Sequence, residues 1–145
     1  MTSGTDELMR ELTEDECWEF LRSQELGRLA FRMVDDVHIV PINYAVDEHT
    51  LLFRTAPGDK LLAVMLGGKI AFEVDRFDEE HAESVVLRGT ARLLGEDEAH
   101  RAEFVPLRPW VGAEKYDVVE ISPEVLTGRA FRLDRPWLHM MRHEG

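Results

Sequence analysis

VHIVPINYAVDEHTLLFRTAPGDK, residues 37–60, reads as a strand, a tight turn, a second strand and a loop that opens a helix. From Val37 to Val46 one face carries Val37, Ile39, Pro41, Asn43 and Ala45, and the other His38, Val40, Ile42, Tyr44 and Val46. Both are largely apolar, the pattern of a strand covered on both sides. Asp47-Glu48-His49 is a short polar break and Leu51 to Thr55 resumes the strand, so the pair reads as a hairpin. Arg54-Thr55-Ala56-Pro57-Gly58-Asp59-Lys60 then leads into the helix-compatible run LLAVML. Arginine, a hydroxyl, a glycine and a lysine thus stand at or just before a helix N-terminus. Free peptide N–H groups and the positive end of the helix dipole make such a place a phosphate site. Arg54 would grip the phosphate bidentately and Lys60 would add a point charge. Spacing alone does not make it a site, because many hairpins enter a helix through a glycine and a lysine without binding anything.

The chain around this stretch has 145 residues, enough for one domain with a real core, and nothing in it marks a linker or a repeat. We read residues 1–145 as a single domain with loose tails at 1–11 and 138–145. A hydrophobic content of 44% beside 32% charged residues fits a globular chain. No apolar run reaches the length of a membrane-spanning helix, and the first sixteen residues are acidic without the apolar core of a signal peptide. Cys17 is the single cysteine, which excludes an internal disulfide and suits a reducing compartment; the expected location is the cytoplasm. A net charge of −12 argues against nucleic acid and anionic membrane as partners.

Along the chain, Thr13-Glu14-Asp15-Glu16 matches a capping box, with Leu12 as a staple residue. The helix that follows presents Cys17, Phe20 and Leu21 and is expected to stop near Leu26-Gly27, with the glycine at C′. Strands are expected at about 28–33, 37–46, 50–55, 69–75, 84–94 and 116–133, with Ser122-Pro123 interrupting the last. Arg76 to Glu83 reads as an acidic connection, and Leu61 to Leu66 and Glu96 to Phe104 as short helices. Gly89 inside a long strand implies a bulge or bend. Sequential strands without strand–helix alternation give a mainly β (α+β) fold: an antiparallel, Greek-key-like barrel with a few short helices at its rim.

LGRLAF (26–31), VPINYAVD (40–47), LFRTAPGDKL (52–61), IAFEVDRFD (70–78), VVLRGTARLL (85–94), RPW (108–110) and ISPEVLTGR (121–129) resemble, in this order, the pyridoxamine 5′-phosphate oxidase-like family, on the branch that includes nitroimidazole-resistance-like proteins. The resemblance covers about residues 12 to 133 and implies an FMN-binding split β-barrel. It implies that Pro41, Ile42 and Asn43 run along the flavin ring and ribityl chain, and that Phe53, Arg54 and Thr55 line the ring edge and phosphate side. It implies that Lys60 holds the phosphate. It also implies a homodimer with cofactor sites at the interface, into which Trp110 of one copy reaches. Where pyridoxamine phosphate oxidases carry Ser-Arg-Lys at the phosphate loop, this chain has Gly58-Asp59-Lys60, which leaves fewer positive groups.

The other constellations are weaker. His139 and His143 at i, i+4 lack a third ligand and read as a solvated tail, so no metal is expected. His81 lies among acids and reads as a solvated loop, with a proton donor near a flavin as the alternative; the resemblance extends to barrels that process haem with a histidine, a role for which His38 or His81 would stand. Cys17, with apolar helix neighbours, reads as a buried inert thiol. Glu73 and Asp75 read as rim salt-bridge partners. No nucleophile–base set or catalytic carboxylate pair is visible, and the catalytic residues stay unassigned. That does not count against an enzyme, since a flavin carries its own chemistry. The expected function is an FMN-dependent oxidoreductase acting on a small planar substrate. The alternatives are a deazaflavin (F420)-dependent reductase and a non-catalytic flavin-binding module.

Overall fold

A computed structural model of the chain describes residues 8–56, 65–107 and 116–134. Lys60 and its neighbours Gly58 and Asp59, Trp110, His139 and His143 lie outside them, as does most of the helix expected over Leu61 to Leu66. Eight strands are described: β1 (Met9–Glu11), β2 (Leu26–Met33), β3 (Asp36–Asn43), β4 (Ala45–Asp47), β5 (Thr50–Thr55), β6 (Lys69–Phe77), β7 (His81–Leu93) and β8 (Asp117–Arg132). One helix, α1 (Glu14–Ser23), precedes β2, and a 3-10 helix (Ala99–Phe104) lies between β7 and β8.

The capping box at the start of α1 forms as the sequence predicts. The Glu16 peptide N–H donates to Thr13 Oγ1 at 3.2 Å, and the Thr13 N–H donates to Glu16 Oε1 at 3.0 Å. Cys17, Trp18, Phe20 and Leu21 form its buried face. The helix ends at Ser23, earlier than the glycine signal implies. Gly27 belongs to β2, where an added Cβ would stand 2.3 Å from the Phe72 ring; it provides close approach for a neighbouring strand, not a C-cap. Nor is the whole 1–11 segment loose, because β1 pairs with Phe131, Ala130 and Arg129 of β8.

The sheet is antiparallel throughout, in the order β3-β2-β6-β7-β8-β5-β4. Its two terminal strands, β3 and β4, are separated in the chain by Tyr44 alone. Asn43 and Ala45 can be no more than about 7 Å apart, so the sheet must curl until its ends meet. The result is a split barrel: β3 bonds to β2, β4 bonds to β5, and the chain itself joins the two lips. Tyr44 anchors this joint, its N–H donating to the Glu25 carbonyl at 2.9 Å and its hydroxyl to the Leu21 carbonyl at 2.6 Å.

Two further expectations are corrected. Most of 76–83 is strand, with Arg76 paired to Glu83 and Phe77 to Ala82, which leaves only Asp78 to Glu80 as the turn. Ser122-Pro123 does not break β8. The register slips there, with Arg88 opposite Val125 and Gly89 opposite Pro123, so the proline sits at a bulge. A Cβ on Gly89 would lie 1.9 Å from the Ser122 carbonyl oxygen, so only glycine lets the two backbones approach.

The barrel interior holds Leu29, Phe31, Leu51, Phe53, Ile70, Phe72, Val85, Leu87, Val119 and Ile121, closed at one end by the apolar face of α1. A smaller cluster, made by Ala45, Leu52, Leu94, Ala102, Leu107 and Val118, lies on the outer side of the sheet under the 94–107 segment.

Candidate functional site

Alternation sorts the side chains of residues 37–55 between the two clusters. Val40, Ile42, Tyr44 and Val46 pack in or against the barrel core, which turns Val37, Ile39, Pro41, Asn43 and Ala45 outward. On β5, Leu51 and Phe53 point in, and Leu52 and Arg54 point out. The β4–β5 ladder stops at Ala45 opposite Leu52. Beyond it Asn43 pairs with Leu26 of β2, and Arg54 with Val118 of β8. Asn43 and Arg54 therefore stand on the outer side at opposite lips of the split.

Upstream of Asn43 the outer face of β3 is bare. Val37 is 79% and Ile39 66% exposed. This corrects the expectation that the strand is covered on both sides: the inner face is packed and the outer is not. Beside Ile39 lie Ala30 and then Ala71 across the sheet, a shallow apolar trough. In the next row Pro41 adjoins Arg28 and Glu73. Arg28 bonds to Glu73 and, at 2.9 Å, to Asp75, the salt-bridge role read for those two acids.

Past Arg54 the surface falls into an open cleft of about 520 Å³ lined by Arg54, Tyr116, His100, Glu96 and Glu103. Arg54 Nη1 donates to the Leu107 carbonyl at 3.2 Å, and its guanidinium lies 5.7 Å from the centre of the Tyr116 ring. The 3-10 helix that carries His100 and Glu103 is held by an ion network around Glu120, a carboxylate only 5% exposed. Arg92 Nε and Arg101 Nη2 donate to Glu120 at 2.8 and 2.6 Å. Arg101 Nε reaches Asp47 at 2.7 Å, and Arg92 Nη2 reaches Glu98 at 2.8 Å, holding the Glu98 carboxyl below the usual carboxylate range.

Of the residues expected at the cofactor site, the structure brings Pro41, Asn43 and Arg54 to one outer surface. Phe53, 3% exposed in the core, and Ile42, packed against it, can offer only their main chain there. Thr55, half-buried, ends β5 opposite Asp117. Sequence reading missed Tyr116, His100 and the Glu120 network, which come from segments distant in the chain. Cys17 is buried and its thiol is pushed up by that burial. His81 is exposed, with Nδ1 3.9 Å from Asp78. His38 stacks on Phe31 with ring centres 5.5 Å apart. No group of three or more potential metal ligands converges among the described residues, and no helix among them is long and apolar enough to cross a membrane.

An antiparallel sheet that curls until its two terminal strands meet at an open lip is a split β-barrel. The chain belongs to the pyridoxamine 5′-phosphate oxidase family, whose model matches residues 13–130. A putative pyridoxamine 5′-phosphate oxidase from Corynebacterium glutamicum is 34% identical, with 93% of this chain and 99% of that one covered at a TM-score of 0.79. The structure of an FAD binding protein from Mycobacterium smegmatis is 38% identical, with 86% and 100% covered at a TM-score of 0.78. A putative 5-nitroimidazole antibiotic resistance protein from Bacteroides thetaiotaomicron shares the fold at 13% identity, with 88% of this chain and 92% of that one covered and a TM-score of 0.71.

Proposed function

We propose that the chain is a flavin-dependent oxidoreductase acting on a small planar substrate. The observation that carries this reading is the bare outer face of β3 at Val37 and Ile39, which leads past Pro41 to Asn43 at one lip of the split with Arg54 at the other, in a chain 38% identical over 86% of its length to an FAD binding protein. The residues suit the riboflavin phosphate that FMN and FAD share. Ile39, Ala30 and Ala71 give a flat apolar seat for the ring. Asn43 offers an amide to the polyol chain, and Arg54 a cation to the phosphate, joined by Lys60 on the sequence pattern.

A bound flavin supplies the hydride chemistry, so the chain need only position it and its substrate. β3 is the terminal strand of the sheet order, and half of its peptide groups point away from β2. N–H groups on that edge would favour negative charge on the reduced ring. A second copy of the chain over the exposed Val37 and Ile39 would exclude water from the ring, and a homodimer belongs to this proposal.

Purified protein should be yellow, or should turn so on addition of flavin. Ile39→Glu, at an exposed position, should keep the fold by circular dichroism and lose most flavin binding. Arg54→Ala should weaken binding by roughly tenfold to a hundredfold, as expected for one charge-assisted contact. A folded chain that binds neither FMN nor FAD, or an Ile39→Glu variant that binds flavin like its parent, would end this reading.

A further inference from the structure

The geometry points to Glu73 as the group that gives a proton to a substrate lying over the flavin seat, with Asp75 as the route by which that proton returns from solvent. The inference rests on the flavin reading above and adds to it a catalytic residue.

The seat and its flank differ in height. Strand side chains stand roughly perpendicular to their sheet. Ala30 and Ala71 are short, so a ring can lie on them beside Ile39. One row along, where Pro41 adjoins Arg28 and Glu73, the two long side chains rise past the edge of such a ring. They reach the level at which a planar substrate stacked on that ring would lie. The groups flanking the seat on its other side are Arg32, turned to the Val34 carbonyl, and Lys69, bonded to Glu124. Neither is an acid.

One nitrogen, Nη2 of Arg28, holds both carboxyls, Glu73 through Oε1 and Asp75 through Oδ1 at 2.9 Å. Oε2 of Glu73 is left to carry a proton. Two carboxylates on one guanidinium leave a negative charge in excess, which one shared proton relieves. Burial pushes the Glu73 carboxyl up and Asp75 adds to it, against the pull of Arg28. By register the pair also faces Pro41, Val86 and Ser84, none of them charged, with the cations Arg88 and Arg129 beside it on β7 and β8.

A substrate that accepts the hydride a flavin supplies is left with a negative charge. Glu73 Oε2 gives the proton that neutralises it and keeps the electron pair of its broken O–H bond. Arg28 holds the carboxylate so formed. Asp75 is the more exposed carboxyl, 51% against 35%, and passes a solvent proton back.

The test uses the full chain loaded with flavin, reduced by dithionite and mixed without oxygen with menadione, a planar quinone. The rate should fall as pH rises through the Glu73 titration, by about tenfold per unit, as for loss of one proton. Glu73→Gln should bind flavin like its parent, react about a hundredfold more slowly, the lower end for a general acid, and lose that limb. Asp75→Asn should move the limb to lower pH. Carbon-13 NMR of the glutamate carboxyls in the flavin-free chain should show one that titrates above the ordinary 4.5 and moves down in Asp75→Asn, a measurement that can overturn the proposal even if Glu73→Gln does not fold. A folded Glu73→Gln that reduces menadione like its parent, a parent reaction without that limb, or no glutamate titrating above 4.5 would each overturn the role of Glu73 and leave the flavin reading standing. Binding of neither FMN nor FAD would remove both.

Discussion

The outer face of this sheet has two halves that the chain treats oppositely. Over β4, β5 and the start of β8, the 94–107 segment folds down, buries Leu52 and Val118, and is clamped by Glu120 with Arg92 and Arg101. Over β3, β2 and β6 nothing among the described residues covers Val37 and Ile39, although they are as apolar as the residues buried opposite. Covering one half has turned it into core. Leaving the other bare keeps Val37 and Ile39 open to solvent. The boundary between the halves is the line from Asn43 to Arg54, where the proposed cofactor crosses.

The largest expected effect breaks this contrast by truncating an equivalent aliphatic residue on each side. Leu52→Ala should cost about 2–5 kcal/mol, the range for a buried leucine, read as a lowered denaturant midpoint. Ile39→Ala should change the stability of the isolated chain by less than about 0.5 kcal/mol, as for an exposed site, while weakening flavin binding. Similar losses at the two positions would mean that the halves do not differ as described.

A smaller effect tests the clamp. Glu120→Gln keeps the shape but removes the charge between Arg92 and Arg101. Stability should fall by about 1.5–3 kcal/mol, the scale of hydrogen bonds to a charged group, read as a lowered melting temperature. An unchanged melting temperature would show that Glu120 does not hold the 94–107 segment down.

The smallest effect comes from an exposed counterpart to that clamp, the Arg10–Glu16 pair at 2.9 Å, which ties β1 to the first turn of α1. The Arg10 hydrogen bond, aided by the Thr13 N–H, holds the Glu16 carboxyl down at about 2 against an ordinary 4.5. Its folded value is depressed, so its contribution is present above about 4.5 and is lost as pH falls from there towards 2. Melting temperatures across that window should fall less steeply for Glu16→Gln than for the parent. Parallel curves would show that the pair does not couple to folding.

Much of this architecture is legible in local patterns. The capping box needs only Thr13 and Glu16, three residues apart. The bulge is announced by Gly89, and the strand alternation marks the barrel. What misled was chemistry that depends on a distant partner. Gly27 looks like a helix stop because its real constraint, the Phe72 ring, lies 45 positions on. Met9–Glu11 is exposed and carries no periodic signal, so only its pairing with β8 makes it a strand. An apolar outer face on β3 reads the same whether it is covered or bare. The same limit governs the site: 41–43 and 53–55 stand out in one stretch, while Tyr116 and His100 join Arg54 around one cleft, and Glu120 joins Arg92 and Arg101, from segments that sequence alone does not bring together.

The single-residue joint at Tyr44 has a kinetic consequence. The hairpins β2–β3 and β4–β5 lie on either side of it and are each made of local contacts, so each can form early. Neither closes the barrel. Closure waits for β8, which must bring Ile121 to Leu51 and Leu126 to Leu87 across long intervening chain. Barrel closure therefore depends on β8, the one strand that pairs with both β7 and β5, and the line from Asn43 to Arg54 is complete only with β8 in place.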